Sequence, residues 1–225
     1  MKNLSSVFKN LSPAKVIDSK IDYSDYIPID LSITNKELIK LNPKNAAEFE
    51  LFIKNYLDKN KAKVAYGGYS ETRNLYQRST IFKNDSSSER NIHIGLDLWI
   101  NAGTSVLAAL DGKVHSFKNN IGLGDYGPTI ILEHKIENEL FYTLYGHLSL
   151  ESIENLTVGT IFKKGEHLAF IGKSAINGDY APHLHFQIIR NINDAWGDYP
   201  GVCNISDMNY YIENCPNPNL LLKIT

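Results

Sequence analysis

The chain has 225 residues, of which 43% are hydrophobic and 21% charged, and its formal net charge at pH 7 is -2. A chain of this length can bury a normal core. Its slightly negative net charge excludes the surplus of basic residues that a typical nucleic-acid-binding protein has. The 13 tyrosines and 9 phenylalanines favour β-strands and an aromatic wall around a site.

The N-terminus carries a lysine at position 2, but no apolar run of about 7 to 15 residues follows it, as a signal peptide would require. No segment approaches the roughly 20 apolar residues of a membrane helix. We therefore expect no membrane span and a cytoplasmic location, or a location in the cell envelope if a leader was removed or export is non-classical. Cys203 and Cys215 predict either a local disulfide or two free thiols.

Residues 1–84 are predicted to form an N-terminal extension packed on the main body. Residues 1–40 are polar with only short apolar runs, which indicates an extended arm. Apolar residues then recur at helical spacing and predict one amphipathic helix over about 43–59, started by the Asn-Pro pair at 42–43. A serine-rich loop at 84–90 marks the boundary to the next part of the chain.

Residues 85–200 change to short alternating segments separated by glycine-containing turns. Many closely spaced strands of this kind favour a mainly β fold, an antiparallel β-sandwich or open barrel, followed by a C-terminal tail at 201–225. The pattern leaves the oligomeric state open. The predicted strands cover 92–99, 106–110, 113–117, 128–134, 140–145, 160–162, 167–171 and 183–190.

His183 and His185 begin the last of these strands. Side chains two residues apart in a strand leave the same face about 6.6 Å from each other, whereas Leu184, Phe186 and Ile188 point the other way, towards a core. Taken alone, the pair fits two hydrogen-bonded surface histidines as well as it fits a site. The remaining motifs favour a site.

His93 and Asp97 share a face of the strand predicted over 92–99, but a straight strand would separate them by about 13 Å. One metal ion with ligand bonds near 2 Å cannot bind both across that distance. If both are ligands, the segment has to bend or bulge between them, and Gly95 permits this. Together with His185 they would form a set of two imidazoles and one carboxylate, which is common at catalytic divalent metal ions.

His147 ends a strand and, with His183, offers two further imidazoles that need not bind the metal. Their expected roles are proton transfer and stabilisation of the charge that develops on an attacked carbonyl. The other histidines, at positions 115, 134 and 167, have no paired spacing and are interpreted as structural or surface residues.

Candidate substrate-binding residues are Tyr69, Arg73 and Tyr145. Arg73 could face a substrate carboxylate, and the glycine pair before Tyr69 permits a close backbone approach. A turn with stacked surface rings is the simpler interpretation of the segment around Tyr69.

Four segments stand in the order of a known signature: HIGLD at 93–97, AGTSV with DGKV between 102 and 114, YGHLS at 145–149 and PHLHF at 182–186. Over roughly residues 90–190 the chain therefore resembles the M23, lysostaphin-type or LytM-like, zinc metallopeptidases. The resemblance implies one Zn²⁺ per chain bound by His93, Asp97 and His185. It also implies that the general base and the transition-state stabiliser are His147 and His183, without deciding which is which.

Members of that family typically hydrolyse amide bonds in peptidoglycan cross-links, glycyl or D-alanyl. The resemblance thus implies a metalloendopeptidase that uses a metal-activated water and whose partner is a peptide or peptidoglycan-like substrate. One alternative is a non-haem iron enzyme with a two-histidine, one-carboxylate site. Another is a non-catalytic module that binds peptidoglycan or a partner chain.

Overall fold

The structure is a computed structural model that describes residues 4–41, 45–74 and 89–225. The predicted helix start at 42–43 and most of the serine-rich boundary loop lie outside the described residues. The helices are α1 (Leu4–Lys9), α2 (Lys36–Leu41), α3 (Ala46–Asn60), α4 (Glu151–Glu154), α5 (Met208–Asn214) and α6 (Asn219–Leu222). None of the helices in the described ranges has the length and apolarity that a membrane crossing requires.

The main sheet has eight strands, and the strand that carries His183 and His185 lies in the middle of the sheet. In spatial order these strands are β1 (Tyr26–Pro28), β2 (Val64–Gly67), β5 (Leu96–Trp99), β12 (His183–Ile189), β9 (Glu139–Gly146), β8 (Gly127–Ile136), β7 (Gly112–Asn120) and β10 (Ile161–Phe162). Two smaller sheets pair β6 (Ser105–Leu107) with β11 (His167–Phe170), and place β4 (Ile92–His93) between β3 (Glu71–Thr72) and β13 (Val202–Cys203).

The mainly β class predicted from the sequence is confirmed, and every predicted strand overlaps an observed one. The main sheet departs from the antiparallel expectation at one edge, where β1 pairs with β2 in parallel. The expectation of an extended arm over residues 1–40 was wrong in part. Its described portion includes α1, α2 and the edge strand β1, because short apolar groups there pack on the sheet.

The amphipathic helix is confirmed as α3, with its N-terminus at Ala46. Asn45 is the N-cap, since its side chain accepts a hydrogen bond from the backbone N–H of Glu48. Its apolar face packs on the main sheet, where Phe49 meets Trp99 with the ring centroids 5.2 Å apart. Trp99 belongs to β5, the strand that also carries the predicted carboxylate ligand Asp97.

The largest core lies on one face of the central strands and contains Leu184, Phe186 and Ile188. Helices α1 and α6, from opposite ends of the chain, pack on that same face. The elements on both sides of the predicted 84/85 boundary therefore share one sheet and one core. The opposite face of the central strands is left for the polar side chains described next.

Candidate metal centre

Strand β12 supplies His183, His185 and Gln187 to the polar face, because alternate residues of a strand point the same way. Its antiparallel pairing with β5 sets His185 opposite Asp97 and His183 opposite Trp99. The register thus brings a histidine and the carboxylate onto neighbouring strands of one sheet.

The segment that carries His93 and Asp97 breaks between them, as the sequence predicted. Strand β4 ends at His93, β5 starts at Leu96, and the two strands belong to different sheets. As a result His93 Nε2 lies 3.2 Å from Asp97 Oδ1. Gly95 stands at the break, where a β-carbon would lie only 2.3 Å from Cε1 of His185.

Three ligand atoms converge on one point: His93 Nε2, Asp97 Oδ1 and His185 Nδ1. Nδ1 of His185 is 2.9 Å from Nε2 of His93 and 3.1 Å from Oδ1 of Asp97. Atoms bound at about 2.0–2.1 Å to one tetrahedral ion stand roughly 3.3 Å apart, so these separations are close to those of a shared ion.

The hydrogen bond made by one nitrogen of each imidazole decides that the other nitrogen faces the point where the three ligand atoms converge. Nδ1 of His93 donates to the carbonyl of Gly68 at 2.9 Å. Nε2 of His185 donates to Oε1 of Gln187 at 2.9 Å, and the amide of Gln187 in turn donates to the carbonyl of Pro200. In the neutral rings the two nitrogens that face each other are therefore both unprotonated. Two lone pairs and a carboxylate oxygen at such distances suit a cation between them.

The protonation states agree with this arrangement. Burial lowers the pKa of His93 to about 4, although the charge of Asp97 opposes the shift. Burial alone would raise the pKa of Asp97, but His93 and Arg73 outweigh it and hold that pKa well below 3.8. His93 is thus neutral and Asp97 is ionised near pH 7, and these are the forms of the two groups that bind a metal ion.

His147 and His183 lie beside the three ligand atoms, with their ring centroids 4.2 Å apart. Nδ1 of His147 donates to the carbonyl of Asn177 and Nδ1 of His183 to that of Ala181, each at 2.8 Å. Nε2 is therefore the proton-accepting atom of both neutral rings. His147 has a φ of 62°, a conformation that is uncommon outside glycine and occurs often at functional sites.

Burial keeps both of these rings neutral. It lowers the pKa of His183 to about 4. It also lowers the pKa of His147 well below 6.5, and the neighbouring His183 adds to the effect. His183 is further held by stacking on Trp99, with the ring centroids 3.9 Å apart. Its Nε2 lies 3.9 Å from Asp97 Oδ1.

A cavity of about 480 Å³ opens over these groups. The described part of residues 1–40 contributes nothing to its lining, so that segment does not cover the site. Besides the five predicted metal-binding and catalytic residues, the walls carry aromatic rings and charges of both signs, from Arg73, Arg90, Trp99, Lys118, Asp125, Tyr126, Tyr180, Trp196, Asp198 and Tyr199.

Residues 91–195 match the sequence profile of peptidase family M23. This part of the chain, which holds all five predicted metal-binding and catalytic residues, is therefore similar to the M23 peptidases. An uncharacterized metalloprotease of Haemophilus influenzae is 35% identical over 99 residues, which are 44% of this chain and 19% of that protein. This chain thus matches about a fifth of the length of that relative.

The solved structures that are similar to the chain include two peptidases. The catalytic domain of lysostaphin, an antimicrobial peptidase from Staphylococcus simulans, is 24% identical, with 68% of this chain and 93% of that chain covered and a TM-score of 0.42. A zinc-containing peptidase from Vibrio cholerae is 27% identical, with 48% of this chain and 30% of that chain covered and a TM-score of 0.35.

Of the three candidate substrate-binding residues, only Arg73 lines the cavity over the candidate metal ligands. Its guanidinium is 2% exposed and pairs with Asp97 and Glu71, so it faces two protein carboxylates. Tyr145 is wholly buried in the core on the other side of the sheet, because its position in β9 points it away from the site. Tyr69 donates its hydroxyl to the carbonyl of Cys215 instead of lining the cavity.

Sequence reasoning missed Gln187, the partner of His185. The signal was present, since His183, His185 and Gln187 alternate along one strand and share a face. It also missed the carbonyl of Gly68, for which the sequence gives no signal, because a backbone oxygen belongs to every residue.

The C-terminal tail, which lies beyond the M23 match, supports two of the candidate ligands. Strand β13 pairs with β4 and places Val202 opposite His93. The side-chain amide of Gln187 donates to Sγ of Cys215 at 3.2 Å as well as to the carbonyl of Pro200. Cys203 and Cys215 are both buried free thiols, so no disulfide joins them.

Two of the three remaining histidines lie away from the candidate site. His134 is buried between the carbonyl of Asp111 and the hydroxyl of Thr143. His167 is exposed and bonds to Ser105. Neither lines the cavity.

Proposed function

We propose that this protein is a zinc-dependent endopeptidase that hydrolyses amide bonds in peptidoglycan-type cross-link peptides, glycyl or D-alanyl. One observation carries the proposal: the ligand atoms of His93, Asp97 and His185 converge beside the paired imidazoles of His147 and His183. This geometry joins a metal-binding set to proton-accepting groups at the floor of one cavity.

The residues fit a zinc ion. Two imidazole nitrogens and one carboxylate oxygen are the donor set of many catalytic zinc sites, which keep a further position open. The hydrogen bonds from His93 to Gly68 and from His185 to Gln187 supply the second layer of contacts that such ligands have. When bound, the ion lowers the pKa of water towards about 7 and polarises a carbonyl.

His147 and His183 supply the proton chemistry. In the resting protein both Nε2 atoms are unprotonated, so either ring can accept the proton of the attacking water. The ring that gains it becomes an Nε2–H donor, which can bond to the oxyanion or pass the proton to the leaving amine. Because the ring centroids are 4.2 Å apart, two positive charges on the pair repel each other, and one proton at a time is favoured.

The substrate class is supported by the similarity to the M23 peptidases and by the cavity. A peptide carries flat amide groups and charged ends, and the walls offer Trp196 and Tyr180 for stacking together with charges of both signs. Trp196 is 58% exposed, so its ring is accessible to a bound chain.

The test is mass spectrometry of purified muropeptides and matched synthetic peptides, with and without a D-amino acid at the cleavage site, after incubation with the zinc-loaded protein. We expect new peptide ends with wild type and with His167→Ala, a control outside the cavity, and none with His185→Ala. Intact peptides throughout would contradict the proposed substrate. Bound iron with oxygen consumption would instead support the oxygenase alternative, and binding without cleavage the non-catalytic module.

A further inference from the structure

Arg73 is a buried cation in direct contact with a candidate metal ligand. Its Nη1 lies 2.6 Å from Oδ2 of Asp97, and its Nε lies 2.5 Å from Oε2 of Glu71. Arg73 is 2% exposed and precedes the M23 match. One guanidinium therefore bridges two carboxylates, of which only Asp97 also faces the metal site.

The guanidinium is held in this orientation from several sides. Oε1 of Glu71 accepts the backbone N–H of Leu31 at 2.9 Å, which fixes that carboxylate. A β-carbon at Gly68 would lie 1.9 Å from Nη2 of Arg73, so the backbone there packs directly against the guanidinium. The same glycine accepts the hydrogen bond of His93 through its carbonyl.

The two oxygens of Asp97 consequently have different partners. Oδ1 faces His93 and His185, whereas Oδ2 faces Arg73. For Asp97 to bind one ion through both oxygens, Oδ2 would have to leave a buried, charge-assisted hydrogen bond. Breaking such a bond in the interior leaves an uncompensated charge and is strongly unfavourable.

We propose that Arg73 is a positioning residue that restricts Asp97 to binding the metal through a single oxygen. This keeps the remaining coordination positions for water and the substrate carbonyl. The inference rests on the metal site of the proposed function. An arginine suits the task because its planar fork holds two carboxylates at fixed angles, which the single ammonium of a lysine does not.

The experiment replaces zinc with Co²⁺, whose visible absorption weakens as its coordination number rises. Arg73→Met removes the guanidinium but leaves Glu71 buried without its partner. The double variant E71Q/R73M removes both charges, so it tests the same contact with less cost to folding. Lys63→Met, which breaks the exposed Lys63–Asp25 pair outside the cavity, is the control.

We expect each protein to bind one Co²⁺. In the variants that lack Arg73, the visible bands should weaken and shift because Asp97 binds through both oxygens, and kcat should fall at least tenfold with little change in KM. The control should retain the wild-type spectrum. A wild-type spectrum in E71Q/R73M would overturn the proposal and leave the peptidase function intact. Failure of the wild-type protein itself to bind Co²⁺ would contradict both.

Discussion

Gly95 lies directly against the imidazole of His185: a β-carbon at Gly95 would stand 2.3 Å from Cε1 and 2.5 Å from Nε2 of that ring. The ring cannot move aside without breaking its contact with Gln187, which is 2.9 Å long. The absence of a side chain at position 95 is thus a condition for the position of His185. The same residue stands at the break between β4 and β5, so it has two roles in the site.

Gly95→Ala should therefore displace His185 and weaken zinc binding by at least tenfold, with overpacking that costs about 1–3 kcal/mol of the free energy of unfolding. Chelator competition and thermal unfolding measure the two effects. Gly103→Ala is the matched control, because Gly103 has a φ of 81° and no neighbour within 4 Å of an added β-carbon. The Gly103→Ala variant should lose stability only because alanine is strained at this positive φ. Its zinc affinity should remain that of wild type. Equal zinc affinities in both variants would refute the steric role of Gly95.

Replacing His147 or His183 should separate catalysis from metal binding. Each alanine variant should lose about 10²–10⁴-fold in kcat, since positioned proton transfer contributes that much, while it still binds zinc at the wild-type stoichiometry. Steady-state kinetics and elemental analysis of the same samples give the answer. Variants that keep full activity would favour a structural metal in a binding module.

Gln187→Leu should reduce zinc affinity by about 10–100-fold, because Nε2 of His185 loses the acceptor that fixes its tautomer. Gln187→Glu keeps an acceptor oxygen at that position, so its affinity should stay closer to that of wild type. Competition with a chromogenic chelator measures both. If the leucine variant bound zinc as tightly as wild type, the contact between His185 and Gln187 would have no role in orienting the ligand.

His134 predicts a pH dependence of stability that is independent of the site. Burial lowers its pKa to about 4 in the folded protein, from 6.5 when exposed. The unfolded chain therefore binds more protons between these values, and stability falls as the pH drops from 6.5 to 4. The contribution of His134 is complete above pH 6.5 and amounts to about 3 kcal/mol at most.

His134→Gln should accordingly lose less stability than wild type on acidification over this range, although it is less stable near pH 7. Denaturant unfolding at a series of pH values, with both proteins at the same zinc loading, measures the difference. Parallel stability curves for the two proteins would show that His134 does not titrate as its burial requires.

Closely spaced alternating segments with glycine-containing turns were enough to predict the mainly β fold, and the histidine and aspartate motifs predicted five residues that the fold brings together. His93, Asp97, His147, His183 and His185 all line one cavity. The need for a bend between His93 and Asp97 also followed from the sequence, because the length of a straight strand and the reach of one metal ion are incompatible.

Tertiary structure decided which groups orient those residues. Arg73 was predicted to face a substrate, but the fold of β3 against β4 brings it to Asp97. Tyr145 was predicted at the site, but the pleat of β9 turns it into the core.

The sequence by itself thus determined which side chains of the candidate site are of a type that can bind a metal ion and which can accept a proton. These properties belong to residue types and to the local period of a strand. Only the tertiary structure decided which nitrogen of His93 faces the site and which oxygen of Asp97 is occupied by Arg73. Those choices depend on contacts with Gly68 and Arg73, which precede their partners by 25 and 24 residues, and no local pattern encodes contacts over such separations.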